Sequence, residues 1–187
     1  MRREMRTRRR ALDAGERLGA ATALADVVAA LADFHNASHV AVYIAMDGEI
    51  DPSPLVAHAR RAGKQLYLPV LAAGDGNRLE FAPWLPDTPL YPNRFRIPEP
   101  HTDNPYPPQK LDLVFTPLVA FDAQGRRLGM GGGFYDRTFA FLKDGVSKPR
   151  LIGLAYEFQH LPSLDEQAWD VPLAGVATDR GFYRFDG

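Results

Sequence analysis

His39-Val40-Ala41-Val42-Tyr43-Ile44-Ala45-Met46, then Asp51-Pro52-Ser53-Pro54 leading into Leu55 to Ala62 and Gly63, then Gln65-Leu66-Tyr67-Leu68-Pro69-Val70: this stretch decides the fold. The first run is apolar throughout and rich in Val, Ile and Tyr, the pattern of a buried strand. Asp51 to Pro54 carry helix-start residues, and Gly63 is a stop. Gln65 to Val70 reads as a second strand. A strand–helix–strand unit this short joins neighbouring parallel strands in one sheet. The unit therefore predicts an α/β fold, with a mostly parallel sheet flanked by helices.

Working toward the N-terminus, Leu24, Val27, Val28 and Leu31 recur at helical spacing and mark a face turned to the core. Asp13 and Glu16 form a capping box that starts this helix near Ala14. Residues 1–12 read as a further helix with almost no apolar face. Six of its first ten residues are Arg, which gives the chain a basic N-terminal helix. Working toward the C-terminus, strands are predicted at Arg78 to Trp84, Leu111 to Phe115, Arg150 to Tyr156 and Gly175 to Thr178. A helix is predicted from Phe134 to Leu142, and a tail from Phe182 to Phe185. Nine prolines fall between Pro83 and Pro108, which predicts an ordered irregular loop wrapping one face. Trp84, Tyr91, Phe95 and Ile97 within it favour burial over disorder. No repeat divides the chain, so residues 1–187 read as one domain.

Composition narrows the chemistry. There is no cysteine, which excludes disulfides, thiolate metal sites and cysteine nucleophiles. A net charge of −1 gives no bulk attraction to nucleic acid or membrane. No apolar run reaches the roughly 20 residues a membrane helix needs, and the basic start lacks the apolar segment of a secretory signal. The protein is read as cytoplasmic.

The chemistry concentrates between Phe121 and Arg137, which holds five of the sixteen glycines. Neither a P-loop nor a dinucleotide fingerprint is present. Instead Arg127-Leu128-Gly129-Met130-Gly131-Gly132-Gly133-Phe134-Tyr135-Asp136 joins an arginine, a glycine run and an acid. Ordering glycines costs entropy, so the run implies a tight turn or a close approach to a ligand. Its amides suit phosphate oxygens, Arg127 suits a bidentate phosphate grip, and Asp136 suits Mg²⁺ held jointly with phosphates. His35 and His39 read as a helix end rather than a metal pair, His160 as a polar-loop residue rather than a catalytic base, and Arg8 to Arg10 as a solvated helix face rather than an RNA-binding patch. Tyr67 and Trp84 read as core or loop anchors.

The same stretch, with Asp122, Gly125 and Arg137, resembles the signature of the 5-formyltetrahydrofolate cyclo-ligase family. The basic start from Met1 to Leu12, Tyr43 to Met46 with Glu49-Ile50, Ile97-Pro98-Glu99-Pro100 and Thr116-Pro117 recur in family order. So do Phe158-Gln159, Trp169-Asp170-Val171-Pro172 and Ala177-Thr178-Asp179. The resemblance implies ATP- and Mg²⁺-dependent conversion of 5-formyltetrahydrofolate to 5,10-methenyltetrahydrofolate, through a phosphorylated formyl group. It implies ATP binding by Arg2, Arg6, Arg127, Leu128, Gly129, Met130, Gly131, Gly132, Gly133, Phe134 and Tyr135, with Arg127 catalytic. It implies folate binding by Ile44, Glu49, Met130, Gly131, Gly132, Gly133 and Phe134, and Mg²⁺ on Asp136. The partners implied are small molecules, and the chain is expected to be a monomer. A non-catalytic nucleotide- or folate-binding protein is the alternative.

Two departures from the family pattern bear on the site. A family lysine four residues before Arg2 falls ahead of Met1, so either the start lies upstream or Arg3 or Arg6 substitutes. Ala174 stands where the family often has a second metal-binding acid. Asp136 then acts largely through water and phosphates, or with help from Asp170 or Asp179.

Overall fold

The computed structural model describes residues 1–74, 76–165 and 170–185. In chain order, α1 (Arg2–Ala11), α2 (Ala14–Ala29) and α3 (Ala32–Asn36) precede β1 (His39–Ala41). Next come α4 (Ser53–Arg61), β2 (Gln65–Leu71), β3 (Leu79–Pro83), β4 (Tyr91–Pro92), β5 (Pro98–Glu99) and β6 (Leu113–Pro117). The chain continues with β7 (Ala120–Phe121), β8 (Arg127–Leu128), α5 (Phe134–Thr138), β9 (Arg150–Leu154), β10 (Gly175–Ala177) and β11 (Phe182–Arg184).

Seven of these strands form the main sheet, in the order β11-β10-β9-β6-β1-β2-β3. The five inner strands β10, β9, β6, β1 and β2 run parallel, and the edges β11 and β3 run antiparallel. Side-chain alternation divides the sheet between two cores. Val40, Leu66, Leu68, Leu113, Phe115 and Ile152 enter the core shared with α2, α3 and α4. Ala41, Tyr67, Val114 and Leu151 enter the other, with Phe81, Phe121 and Phe139. Both halves of the Asp13/Glu16 capping box form, each hydrogen bond at 2.8 Å. No described helix is long and apolar enough to cross a membrane.

Several elements differ from expectation. In the apolar run from His39 to Met46 the strand ends at Ala41, with one further bond from Val42 N–H to Tyr67 O at 3.0 Å, and Val42 and Tyr43 stay buried beyond it. Its continuation turns at Asp47-Gly48 instead. The helix expected from Phe134 to Leu142 breaks at Phe139 (φ −106°, ψ 18°) into α5 and a 3₁₀ turn, Ala140–Asp144. The Pro-rich segment contains a two-residue ladder, β4 with β5, and a bridge from Tyr106 to Phe81. The tail at Phe182 is an edge strand paired with β10.

Candidate active site

The parallel strands β1, β6, β9 and β10 present their carboxyl ends at one edge of the sheet, where open α/β folds place ligands. The hairpin of β7 and β8 follows β6 there and delivers the glycine run. Its turn is built on Asp122, fully buried, which accepts Gln124 N–H at 3.0 Å, Arg126 N–H at 3.1 Å, Arg126 Nε at 2.7 Å and Leu164 N–H at 2.8 Å. Burial opposes the Asp122 charge, but these donors hold its carboxyl below the usual range.

Beyond the hairpin, Arg127 and Asp136 meet. Arg127 Nη2 donates to Asp136 Oδ1, and Nη1 donates to the Val171 carbonyl. Val171 N–H closes the triangle on Asp136 Oδ1 at 2.9 Å. The two side chains are 10% and 19% exposed, so the pair is largely withdrawn from water. Asp136 Oδ2 has no hydrogen bond to a described residue.

Between them the glycine run is held through its carbonyls. Arg2 Nε donates to Gly129 O at 2.9 Å, Asn77 Nδ2 to Gly132 O at 3.1 Å and Arg137 Nη1 to Gly132 O at 2.6 Å. The amides of Met130 to Gly133 donate to no described residue and remain available to an anion. Gly131 has φ +99°, a conformation that side-chain-bearing residues rarely adopt.

A second set of residues faces this run. Glu49, in the loop after β1, accepts Met46 N–H at 3.0 Å, and burial pushes its carboxyl up from the usual value. Burial, together with the Glu49 charge, pushes the Tyr135 hydroxyl up as well. The β4–β5 hairpin closes from a third side. Phe95 lies edge-on to Phe134 at 5.8 Å, and Arg94 Nη2 reaches Asn77 Oδ1 at 3.5 Å. Phe95 and Met130 are each 50% exposed, leaving apolar surface at the mouth of the site.

The family model described as the 5-formyltetrahydrofolate cyclo-ligase family matches residues 1–179. The chain belongs to that family. It is 44% identical over 141 residues to the 5-formyltetrahydrofolate cyclo-ligase of Escherichia coli (strain K12), covering 74% of this chain and 76% of that protein. Its fold superposes on the solved 5,10-methenyltetrahydrofolate synthetase of Aquifex aeolicus with a TM-score of 0.79 and 31% identity, covering 100% of this chain and 92% of that one. The Mycoplasma pneumoniae synthetase shares the fold at a TM-score of 0.74 and 23% identity, covering 95% and 96%. The chain is thus a ligase by family.

Of the residues the family signature implies, Arg2, Arg127 to Asp136 and Glu49 are gathered at this one edge. Ile44 is half-buried and packs against the first core. Arg6 is drawn elsewhere, onto Asp47 at 2.6 Å. Ala174 packs against the first core and donates its N–H to Leu151 O at 2.7 Å. Asp179 accepts Glu157 N–H at 2.7 Å. Trp169 lies outside the described residues. Among the described residues, no group of three or more His, Asp or Glu converges to hold a metal. Asp136, with Oδ1 bonded to Arg127 and to Val171 N–H and Oδ2 bonded to no described residue, fits Mg²⁺ bound mainly by phosphates and water.

His39 Nδ1 and Tyr67 Oη lie 2.8 Å apart, Trp84 lies under Arg60 and His160 stacks on Phe121, whereas Arg9, expected on a solvated helix face, is buried because its guanidinium turns inward to Asp47 and the Leu118 carbonyl. Sequence reasoning missed Asn77, Arg94 and Asp47. The only available signal was Asp47-Gly48, a turn dipeptide.

Proposed function

We propose that this chain closes 5-formyltetrahydrofolate to 5,10-methenyltetrahydrofolate, using ATP and Mg²⁺ and releasing ADP and phosphate. One observation carries the reading: the basic helix α1 converges on the glycine run, with Arg2 Nε bonded to Gly129 O at 2.9 Å. A site that joins two bound reactants needs this convergence.

The formyl oxygen is a poor leaving group. The γ-phosphoryl of ATP passes to it, breaking the bond to ADP and forming a carbon–oxygen–phosphorus link. N10 of the folate then attacks the formyl carbon. The carbon–oxygen bond breaks, phosphate leaves, and N10 loses its proton. The amides of Met130 to Gly133 receive phosphate oxygens, and Arg127 and Arg2 offset the charge that spreads over them. Glu49 accepts the polar edge of the pterin, with Ile44 and Phe134 against its apolar faces. Asp136 would hold Mg²⁺, and the ion would neutralise phosphate charge when bound. The reading includes a cytoplasmic, monomeric enzyme.

Purified protein mixed with 5-formyltetrahydrofolate, ATP and Mg²⁺ is expected to develop the methenyl absorbance only when all three are present. Absence of ATP-dependent turnover overturns the reading, and folate binding without turnover selects the non-catalytic alternative.

A further inference from the structure

We infer that Asp47 is a positioning residue that locks the loop after β1 onto α1, so that the phosphate-facing end of that helix and Glu49 are presented as one unit. The inference rests on the ATP and folate roles proposed above. Three arginines of α1 converge on this one carboxylate. Arg6 Nε donates to Oδ2 at 2.6 Å, Arg9 Nη2 donates to Oδ2 at 3.3 Å and Arg10 Nε donates to Oδ1. Spaced at i, i+3 and i+4, they share one helix face.

Arg9 makes the contact more than a surface ion pair. Its side chain is 1% exposed and that of Asp47 17%. Arg9 Nη1 also donates to Leu118 O at 3.3 Å, just beyond the end of β6. The helix is therefore tied at once to the loop after β1 and to the segment that enters the glycine hairpin. Exposed pairs are worth about 0–1 kcal/mol, but that range does not describe a pair this withdrawn from water.

Backbone packing points the same way. Asp47 has φ 54°, a left-handed conformation that Asp tolerates. Gly48 follows it against the helix, where an added Cβ would stand 2.9 Å from the Arg9 carbonyl carbon. The base of this turn is closed by Glu49 N–H to Met46 O at 2.9 Å and by the Glu49 carboxylate accepting Met46 N–H. The tip of the turn thus grips α1 while its base aims Glu49. Four residues further along α1 from Arg6, toward the N-terminus, Arg2 grips the glycine run. One carboxylate against three guanidiniums leaves a local charge of +2 (three minus one), so the helix stays attractive to phosphate while held in place.

Asp47→Asn tests this, because Asn also tolerates the left-handed conformation and keeps an acceptor but loses the charge. KM for ATP and KM for 5-formyltetrahydrofolate are both expected to rise by about tenfold, with kcat changed by less than about threefold. Asp47→Glu should recover part of both losses. A residue with only a structural role would lower the melting temperature and leave both KM values alone. Wild-type KM values for both ligands in Asp47→Asn overturn the inference, and so does a rise confined to one ligand. If the wild-type chain has no turnover, the proposed function fails on its own. Amide hydrogen exchange then decides: faster exchange in α1 and in residues 46–49 of Asp47→Asn supports the lock, and unchanged exchange overturns it.

Discussion

Arg127 and Asp136 share a hydrogen bond across nine residues, and the oxygen of Asp136 that takes it also takes Val171 N–H. One carboxylate therefore fixes the arginine at the start of the glycine run, the helix at its end and a segment from the C-terminal part of the chain. Oδ1 is consumed by this scaffold and Oδ2 is left for a ligand. The acid proposed for Mg²⁺ thus orients the arginine proposed for phosphate.

That division of labour makes Asp136→Asn informative. The amide oxygen can keep the bonds from Arg127 and Val171, so stability should fall by only about 1 kcal/mol. The lost charge should reduce turnover by roughly a hundredfold at limiting Mg²⁺. Raising Mg²⁺ should restore part of it, while 5-formyltetrahydrofolate still binds. An unchanged dependence on Mg²⁺ concentration would mean that Asp136 does not hold the metal.

Glu49→Gln should separate function from stability. Burial raises the Glu49 carboxyl above its usual value of 4.5, so folding favours its protonated form. The stability this provides is present below pH 4.5 and is lost as pH rises through the folded-state pKa. At neutral pH the wild-type chain pays to keep the charge half-buried. Gln pays nothing and can still accept Met46 N–H. The variant should therefore melt a few degrees higher than wild type at pH 7, with the gap closing toward pH 4, and should bind folate less tightly. Thermal melts across that range check this; a gap that widens toward acid would show that the sign is wrong.

The opposite case sits at the far edge of the sheet. Burial works against the Asp112 charge, but Lys148 Nζ and the amides of His39 and Ser38 hold its pKa at about 2. Its stabilisation is present above the usual carboxylate value of 3.8 and is lost as pH falls toward 2. Lys148 is 65% exposed and solvent screens the pair, so Asp112→Asn should cost about 1 kcal/mol at pH 7. Denaturant melts should show the cost disappearing by pH 2 with turnover at pH 7 preserved. A cost that persists at pH 2 would assign it to packing instead of charge.

The sheet was legible because alternating and continuous apolar runs respond to burial on two faces, and Val40/Ala41 and Leu113/Val114 divide between the two cores as a period of two requires. The same signal misread residues 42–46. Val42 and Tyr43 are buried in the same core as Val40, so burial alone does not mark the strand's end at Ala41. The β4–β5 pairing was hidden by its prolines, since two residues a side carry no period. At the site, the glycine run, Arg127 and Asp136 lie within ten residues and could be read as one unit. The Asp47 cluster could not: 41 residues separate it from Arg6, and only the tertiary fold brings them together.

Gly131→Val tests how the run itself works. Gly131 is exposed with φ +99°, and an added Cβ would meet nothing within 4 Å. The substitution therefore creates no clash within the protein. Its cost is backbone strain of about 1–3 kcal/mol, which an exposed loop sheds by changing shape. Gly129 O and Gly132 O would then leave Arg2, Asn77 and Arg137, and the amides between them would lose their common direction. The melting temperature should fall by only a few degrees, while affinity for ATP and for 5-formyltetrahydrofolate should each drop by about tenfold or more. Equilibrium titrations of the two ligands decide the matter. Normal ATP affinity in a folded Gly131→Val variant would show that the run does not cradle the phosphates, and would leave that role to the arginines alone.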